Sequence, residues 1–306
     1  MAGFFVCLET EKIVKYRKAM VIEKILRTIW REFIYGGHFQ SLGAASIVFV
    51  SAILLKIQIT WDVLFVTYLI FYPLYLYNRF KEIEIDYSAN LERTKHIRTY
   101  FHLIPIILYL VIFVVIGNLI YFSNLWGLVF GLLLLFFGLL YTIVFKKFTK
   151  KLALFKNLYV ATFFASLVFF LIVYYSYPLT ETLITGMLIF MVFVYLKALM
   201  MQIFLDMKDI ESDEKEGLLT FPIIFGKEKT LNVLKIISVL ATAPILLIFS
   251  LYFDIFPKSV LLLLFTIPFN FYCFNQALKQ KYSGYILAGG EFVLWPILII
   301  IGEIII

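Results

Sequence analysis

The sequence predicts an all-α integral membrane protein in which nine transmembrane helices form a single bundle. Three observations support this fold class. The mean hydropathy is +0.96, charged residues make up only 15% of the 306 residues, and apolar runs long enough to cross a bilayer recur along the chain. Soluble proteins carry about 25% charged residues, so the composition excludes a soluble class. No separate soluble domain is expected.

The apolar runs are predicted to be helices. Only helices or closed barrels satisfy the backbone polar groups in lipid, and these runs are too long and too continuously apolar for barrel strands. The predicted spans are residues 36–55, 61–78, 99–122, 125–145, 155–176, 181–205, 230–252, 258–276 and 284–304. The chain therefore divides into an N-terminal segment, 1–35, and a membrane domain, 36–306.

The N-terminal segment predicts an amphipathic helix over about residues 11–34, where Ile13, Ile22 and Ile29 lie among basic residues. The segment lacks the features of a cleaved signal peptide. Cys7 and Cys273 are far apart in sequence, so neither a disulfide framework nor a metal-binding spacing is present.

Basic residues are distributed asymmetrically between the two ends of the predicted bundle. They occur before span one and between spans two and three, four and five, six and seven, and eight and nine, whereas the opposite loops contain only Lys56 and Lys258. By the positive-inside rule the basic loops and the N-terminus are cytoplasmic, and the C-terminus lies on the opposite side. The net charge of +7 is therefore a topological signal, and no nucleic-acid partner is predicted.

Polar and acidic side chains form two stripes where spans two and six leave the membrane. The stripes, at helical spacing, are Asn78, Glu82 and Asp86, and Asp206, Asp209 and Asp213. Like charges at this spacing repel unless cations lie between them. Mg²⁺ prefers oxygen ligands and is typically held by one or two carboxylates plus substrate phosphates. Two facing stripes therefore predict an Mg²⁺-bound diphosphate, with all six residues as candidate metal ligands.

Basic and amide side chains near the stripes are candidates for binding the remaining phosphate oxygens. These candidates are Asn78, Arg79, Arg93, Lys95, Lys150, Lys151, Asn157 and Lys215. A single stripe is more typical of a solvated charged loop than of a binding site. Two stripes at corresponding positions of one bundle favour the diphosphate site.

These residues resemble the motifs of the UbiA superfamily of intramembrane prenyltransferases. The first family motif, N-R/D-x-x-D-x-x-x-D with an N-x-x-R-T continuation, is similar to Asn78, Arg79, Glu82, Asp86, Asn90, Arg93 and Thr94. The second, D-x-x-D-x-x-x-D followed by K-x-G-x-x-T-x-P, is similar to Asp206, Asp209, Asp213, Lys215, Gly217, Thr220 and Pro222. The segment KKLALFKN, residues 150–157, resembles a third motif. The resemblance covers the whole chain.

The resemblance implies an Mg²⁺-dependent transfer of a prenyl group from a polyprenyl diphosphate to an acceptor within a UbiA-like bundle. The carboxylates expected to be catalytic are Asp86, Asp206, Asp209 and Asp213. The resemblance implies that the protein's partners are the polyprenyl diphosphate, an unidentified electron-rich acceptor and membrane lipids. It indicates no obligate protein partner. Apolar helix walls would solvate the isoprenoid tail and exclude water from an allylic cation.

The sequence departs from the family pattern at three places. Glu82 replaces an Asp, and Lys156 stands before Asn157 where a small residue is usual. Family members that act on benzoates generally place an Arg in span one, which is absent here. The acceptor pocket is instead expected to contain His38, Gln40 and Ser41, and Lys197 inside span six is a further candidate.

Two alternatives remain open at this stage. A UbiA-type membrane terpene cyclase would use the same diphosphate site, with the substrate's own double bonds capturing the cation. A non-enzymatic lipid-binding or transport protein would instead use buried charges such as Lys197 and Glu291. A transporter is expected to have corresponding broken helices in two repeats, and no Gly/Pro-interrupted pair is apparent.

Overall fold

The computed structural model describes residues 20–84, 87 and 90–305, and every regular element in this part of the chain is helical. In chain order the helices are α1 Met20–Tyr35, α2 His38–Leu54, α3 Trp61–Lys81, α4 Leu91–Arg98, α5 Ile104–Phe122, α6 Leu125–Ile143, α7 Phe155–Tyr175, α8 Glu181–Asp206, α9 Ile210–Glu216, α10 Phe221–Phe225, α11 Lys227–Leu240, α12 Ala243–Leu247, α13 Thr266–Leu278, α14 Ser283–Gly289 and α15 Glu291–Ile305. Turns of 3₁₀ helix cover Phe101–Leu103, Phe145–Lys150 and Lys258–Phe265, and a π-helical turn covers Ile248–Tyr252. An all-helical membrane bundle is confirmed.

The structure contains six helical stretches that are long and apolar enough to span a membrane, by length and composition, within the described residues. They are Phe101–Phe122, Leu125–Ile143, Phe155–Tyr175, Glu181–Asp206, Lys227–Tyr252 and Lys258–Leu278. Two bent helix pairs raise the number to as many as eight. The predicted second span corresponds to α3, a helix of 21 residues that is not among these and that contains Asp62, Arg79 and Lys81. The count of nine spans stays a prediction.

The first bent pair joins α1 and α2 at an angle of 62°. The bend falls at Gly36 and Gly37, and Gly37 has a φ of 108°, a backbone conformation that glycine adopts readily because it has no Cβ. Residues 20–30 are exposed, and residues 11–19 of the predicted amphipathic helix lie outside the described part of the chain. An interfacial position for α1, and the domain boundary after residue 35, stay predictions.

The second bent pair, α14 and α15, replaces the continuous ninth span that the hydropathy predicted. The two helices meet at 57°. With two pairs interrupted at glycines, the expectation that the chain has no Gly/Pro-interrupted pair was wrong. The bend falls at Gly290, where an added Cβ would overlap the ring of Phe39. Hydropathy averages over a window and is insensitive to such a close approach between helices. The result is a short helix, α14, that turns toward the end of the bundle where the two acidic motifs lie.

The core of the bundle is formed by close packing between α2, α3, α7, α8 and α15. Helices in lipid associate by van der Waals packing and interhelical hydrogen bonds, because lipid tails are as apolar as the side chains they would replace. Small residues on α2, including Gly43, Ala44 and Ala45, are buried and allow close approach. Phe164 on α7 packs against Phe292 on α15 with ring centroids 5.4 Å apart.

A buried ion pair joins α8 to α15 within this core. The ammonium of Lys197 lies 2.6 Å from the Glu291 carboxylate, and both side chains are almost completely inaccessible. Lys197 also donates to the hydroxyl of Thr266, and the indole of Trp295 donates to Glu291. The sequence placed Lys197 among the candidate acceptor residues, and it named Lys197 and Glu291 as buried charges that a non-enzymatic protein would use. The structure pairs these two residues with each other.

Because breaking a buried pair leaves one charge without compensation, we expect Lys197→Met or Glu291→Gln alone to lower the free energy of unfolding by about 3–5 kcal/mol. The double variant Lys197→Met/Glu291→Gln is expected to recover much of this loss, since neither charge is then left alone. Thermal unfolding of the purified protein in detergent measures the three variants against wild type. Single variants as stable as wild type would contradict the assignment.

Candidate functional site

A cavity of about 280 Å³ opens at the end of the bundle that carries both acidic motifs. Its polar lining includes Gln40, Asn78, Arg79, Glu82, Arg93, Lys146, Lys156, Gln202, Asp206, Lys208, Asp209, Asp213 and Glu216. Its apolar lining includes Phe71, Leu74, Tyr75, Tyr141, Tyr159, Phe163 and Phe164. The apolar residues lie farther inside α3, α6 and α7 than the charged ones. One cavity therefore combines a charged mouth with an aromatic wall.

The first motif lies at the end of α3, and Asp86 lies outside the described residues. The amide of Asn78 donates to the carboxylate of Glu82 at 3.1 Å. Lys146 contacts Glu82 at 2.7 Å and Glu216 at 3.3 Å, and so joins the two motif regions. Burial alone would lower the pKa of Lys146, but the neighbouring Glu82 carboxylate outweighs burial and raises it. Glu82 therefore lies in a charge-compensated contact with a fully protonated lysine.

The second motif extends over a break between two helices, whereas the sequence predicted one continuous helical stripe. Asp206 is the last residue of α8, Asp209 is the N-cap of α9, and Asp213 lies inside α9. The backbone N–H of Asp213 donates to the carbonyl of Asp209. Gly217, with a φ of 70°, ends α9 in the left-handed conformation that a helix C-cap favours. The break lets all three aspartates line the same cavity.

Lys156, on the first turn of α7, lies between two aspartates of the second motif. Its ammonium is 2.7 Å from Asp206 and 3.3 Å from Asp213. Asn157 next to it donates to the other oxygen of Asp206 at 2.7 Å. Burial, together with the charges of Asp206 and Asp209, raises the pKa of Asp213 to about 6 despite the opposing effect of Lys156. Lys156 therefore does not fully offset the effects of burial and of the two neighbouring carboxylates on Asp213.

Asn90 links three parts of the chain at the mouth of the cavity. Its amide donates to Asp209, and its carbonyl oxygen accepts from Lys208 and from the hydroxyl of Tyr282. Burial would raise the pKa of Asp209, but the cations of Lys208 and Arg93 outweigh it and lower that pKa. Asp209 is therefore ionised, and the segment after the first motif is held against the second.

The predicted diphosphate-binding residues separate into two groups. Asn78, Arg79 and Arg93 line the cavity, and Asn157 contacts the cavity residue Asp206. The second group consists of Lys95, Lys150, Lys151 and Lys215, which are exposed and do not line the cavity. Sequence proximity to a motif did not distinguish these groups, because adjacent residues of a helix point in different directions.

Of the four candidate acceptor residues, only Gln40 lines the cavity, where Arg79 donates to its side-chain oxygen at 3.3 Å. His38 instead contacts Tyr68 and Glu32, and Ser41 is buried with its hydroxyl on the carbonyl of Gly37. Lys197 is in the buried ion pair described above.

Three cavity lysines were not predicted as site residues: Lys146, Lys156 and Lys208. Lys156 had a signal in the sequence, since it replaces a small residue beside Asn157. Lys146 and Lys208 were indistinguishable in sequence from the other loop lysines.

The oxygen donors at the cavity are of the kind that Mg²⁺ prefers. They are carboxylate and amide oxygens, and the buried Oδ1 atom of Asn157 has no hydrogen-bond partner among the described residues. No group of three or more His, Cys, Asp or Glu side chains in the described part of the chain is gathered closely enough to hold a metal ion alone. The lysines lie between the carboxylates instead. This is compatible with an ion held by one or two carboxylates plus substrate phosphates. The residues that would hold it are among Asp206, Asp209, Asp213, Glu82, Asn78 and Asn157.

The fold and the cavity define a multi-pass membrane protein with a charged site at one end of a helical bundle. The chain belongs to the UbiA prenyltransferase family, because the model of that family matches residues 42–288. This confirms the resemblance found in the motifs, and it supports prenyl transfer as the general activity. A search of curated proteins gave no match.

Two solved structures have the same fold. The apo structure of a UbiA homologue from Aeropyrum pernix K1 has a TM-score of 0.65 and 16% identity, covering 87% of this chain and 97% of that one. A structure of digeranylgeranylglyceryl phosphate synthase has a TM-score of 0.53 and 17% identity, covering 91% of this chain and 98% of the other. At these identities the likeness shows the fold alone.

The positions of Arg93 and Lys95, two residues apart on α4, provide a matched test of the cavity. Arg93 lines the cavity, and Lys95 is an exposed lysine paired with Glu92. We expect Arg93→Met to weaken the binding of inorganic diphosphate about tenfold, since a hydrogen bond to a charged group contributes about 1.5–3 kcal/mol. Lys95→Met is expected to change it less than twofold. Calorimetric titration of both variants measures the difference, and equal weakening would contradict the cavity as the diphosphate site.

Proposed function

We propose that this protein is an Mg²⁺-dependent prenyltransferase that moves a prenyl group from a polyprenyl diphosphate to an electron-rich acceptor, lipophilic or aromatic, within the membrane. The observation that carries the proposal is the single cavity in which both acidic motifs and five basic residues adjoin an aromatic wall. A charged mouth suits a diphosphate, and an apolar interior suits an isoprenoid chain. The charged mouth and the N-terminus would face the cytoplasm, as the distribution of basic residues predicts.

The charged mouth would bind and activate the leaving group. Arg93, Lys146 and Lys156 present cations to the cavity, and such pre-positioned charges stabilise the negative charge that develops as the allylic C–O bond breaks. The electron pair of that bond leaves with the diphosphate. Mg²⁺, when bound, supplies Lewis-acid stabilisation of the phosphate oxygens. The acidic residues hold the assembly and balance its positive charge.

The aromatic wall would protect the allylic cation. Tyr141 and Tyr159 stack with ring centroids 5.2 Å apart, and Phe163 continues the same surface. The faces of aromatic rings attract cations, and an apolar wall excludes the water that would otherwise capture the intermediate. Tyr159 is held in place because its hydroxyl donates to the carbonyl of Phe137.

The acceptor would approach near Gln40 and Arg79, at the side of the cavity formed by the bend between α1 and α2. Its electron pair forms the new bond to the allylic carbon, and a proton then leaves the acceptor. α2 contributes no arginine to this region, and Arg79, which comes from α3, is a candidate for binding the diphosphate, so no arginine is assigned to an acceptor carboxylate. We therefore do not favour a benzoate as the acceptor.

We expect Asp206→Asn to reduce turnover by at least about 10²-fold, because this residue, the first aspartate of the second motif, contacts both Lys156 and Asn157. Asp86→Asn should have a similar effect. Glu214→Gln removes the same charge from an exposed position of α9 and is the matched control. The measurement is Mg²⁺-dependent release of diphosphate from farnesyl and geranylgeranyl diphosphates, with and without pooled acceptors.

The organic products of that assay distinguish the possible activities. A prenylated adduct formed only with an acceptor supports transfer, whereas a cyclised hydrocarbon or alcohol formed without one would make the protein a terpene cyclase. Full activity in folded Asp206→Asn protein, or no release by wild type under any condition, would overturn the proposal.

A further inference from the structure

Lys156 has a position that the family pattern does not anticipate. It replaces the small residue that usually precedes the asparagine of the third motif, and its side chain is 14% exposed at the cavity. The ammonium contacts one oxygen of Asp206 and one of Asp213, two carboxylates from different helices. A cation shared by two carboxylates is the arrangement expected of a bridging metal ion.

The other oxygen of Asp206 is also occupied, since Asn157 donates to it at 2.7 Å. An ion that bound to Asp206 would therefore share each oxygen with a donor already in place, and beside the ammonium it would also meet a like charge. The remaining carboxylates have different partners: Asp209 pairs with Lys208, and Glu82 with Lys146. Lys156 is the lysine in the described residues that bridges two aspartates of the second motif.

We propose that Lys156 occupies a cation position of the second acidic motif, so that this protein holds Asp206 and Asp213 together with its own ammonium in place of a divalent ion. This inference rests on the proposed function, in which the same motif binds a metal diphosphate. An ammonium has three donors. Two are directed at the aspartates, and the third has no partner among the described residues and is available to a phosphate oxygen.

Removing the charge should make the two aspartates a better divalent site. With Lys156→Met, which keeps a side chain of similar length, the two carboxylates are left with uncompensated repulsion. The Lys156 ammonium is 2.7 Å from Asp206 and 3.3 Å from Asp213. A unit positive charge this close strongly disfavours a second cation on the same carboxylates. We expect the variant to bind Mn²⁺ at least about tenfold more tightly than wild type, or to bind one additional ion.

The experiment measures Mn²⁺ binding to the full chain in detergent, without substrate, by the electron paramagnetic resonance signal of the free ion. Lys147→Met, one residue beyond Lys146 and exposed, is the charge-matched control and should behave as wild type. Lys156→Arg keeps the cation and should also bind Mn²⁺ as wild type does. Mn²⁺ should raise the unfolding temperature of Lys156→Met more than that of wild type, because a ligand stabilises the folded state it binds. Lys156→Gln replaces Lys156→Met if the latter does not fold.

The possible results separate this inference from the proposed function. Tighter or additional Mn²⁺ binding in Lys156→Met, absent in Lys147→Met, supports it. Equal binding in wild type and Lys156→Met, abolished by Asp206→Asn, would overturn the role of Lys156 and leave the metal diphosphate site intact. If none of the proteins binds Mn²⁺ even with inorganic diphosphate present, both the inference and the Mg²⁺ dependence are wrong.

Discussion

Electrostatic compensation between lysines and the carboxylates of two helix ends is the interaction on which the site depends. Asp206, Asp209 and Asp213 converge on one cavity, and like charges so close to an apolar bundle would repel strongly without cations between them. Lys156 and Lys208 come from different elements and supply that compensation. The folded chain is thus able to hold its acidic motifs in place before any substrate binds.

This compensation differs from the ion pair in the core. Lys197 and Glu291 are sealed from solvent, hydrogen-bonded by neighbouring side chains and not themselves part of the cavity lining. Such a pair fixes the packing of α8 against α15. The cavity lysines instead lie where a diphosphate could exchange with their carboxylate partners. A lysine–carboxylate pair therefore has a structural role in the core and a proposed binding role at the cavity mouth. The two kinds of pair differ in their accessibility to solvent.

Composition and hydropathy were sufficient to predict the helical membrane bundle, and the motifs were sufficient to predict its family. The structure places Asn78, Glu82 and the three aspartates of the second motif around one cavity. It departs from the sequence prediction where the outcome depends on contacts between distant helices. The bend at Gly290 follows from its contact with Phe39, and the pairing of Lys197 with Glu291 requires that α8 and α15 be adjacent. Neither contact produces a periodic pattern in the sequence from which it could be predicted.

The charged residues show the same limit. Lys150 and Lys151 belong to the third motif, yet they are exposed. Lys208 lies outside that motif, and it lines the cavity. Which lysines enter the cavity depends on the 3₁₀ turn Phe145–Lys150 and on the break after α8. Both are local departures from regular helix, and spacing rules based on a continuous helix do not describe them.

The central claim is that one cavity holds the diphosphate at its charged mouth and the prenyl chain along its aromatic wall. An experimental structure of the full chain with Mg²⁺ and a non-hydrolysable geranylgeranyl thiodiphosphate tests this most directly. The account predicts phosphate oxygens beside Arg93, Lys146 and Lys156, and the isoprenoid chain against Tyr159 and Phe163. An analogue bound elsewhere on the bundle, with this cavity filled only by solvent, would contradict it.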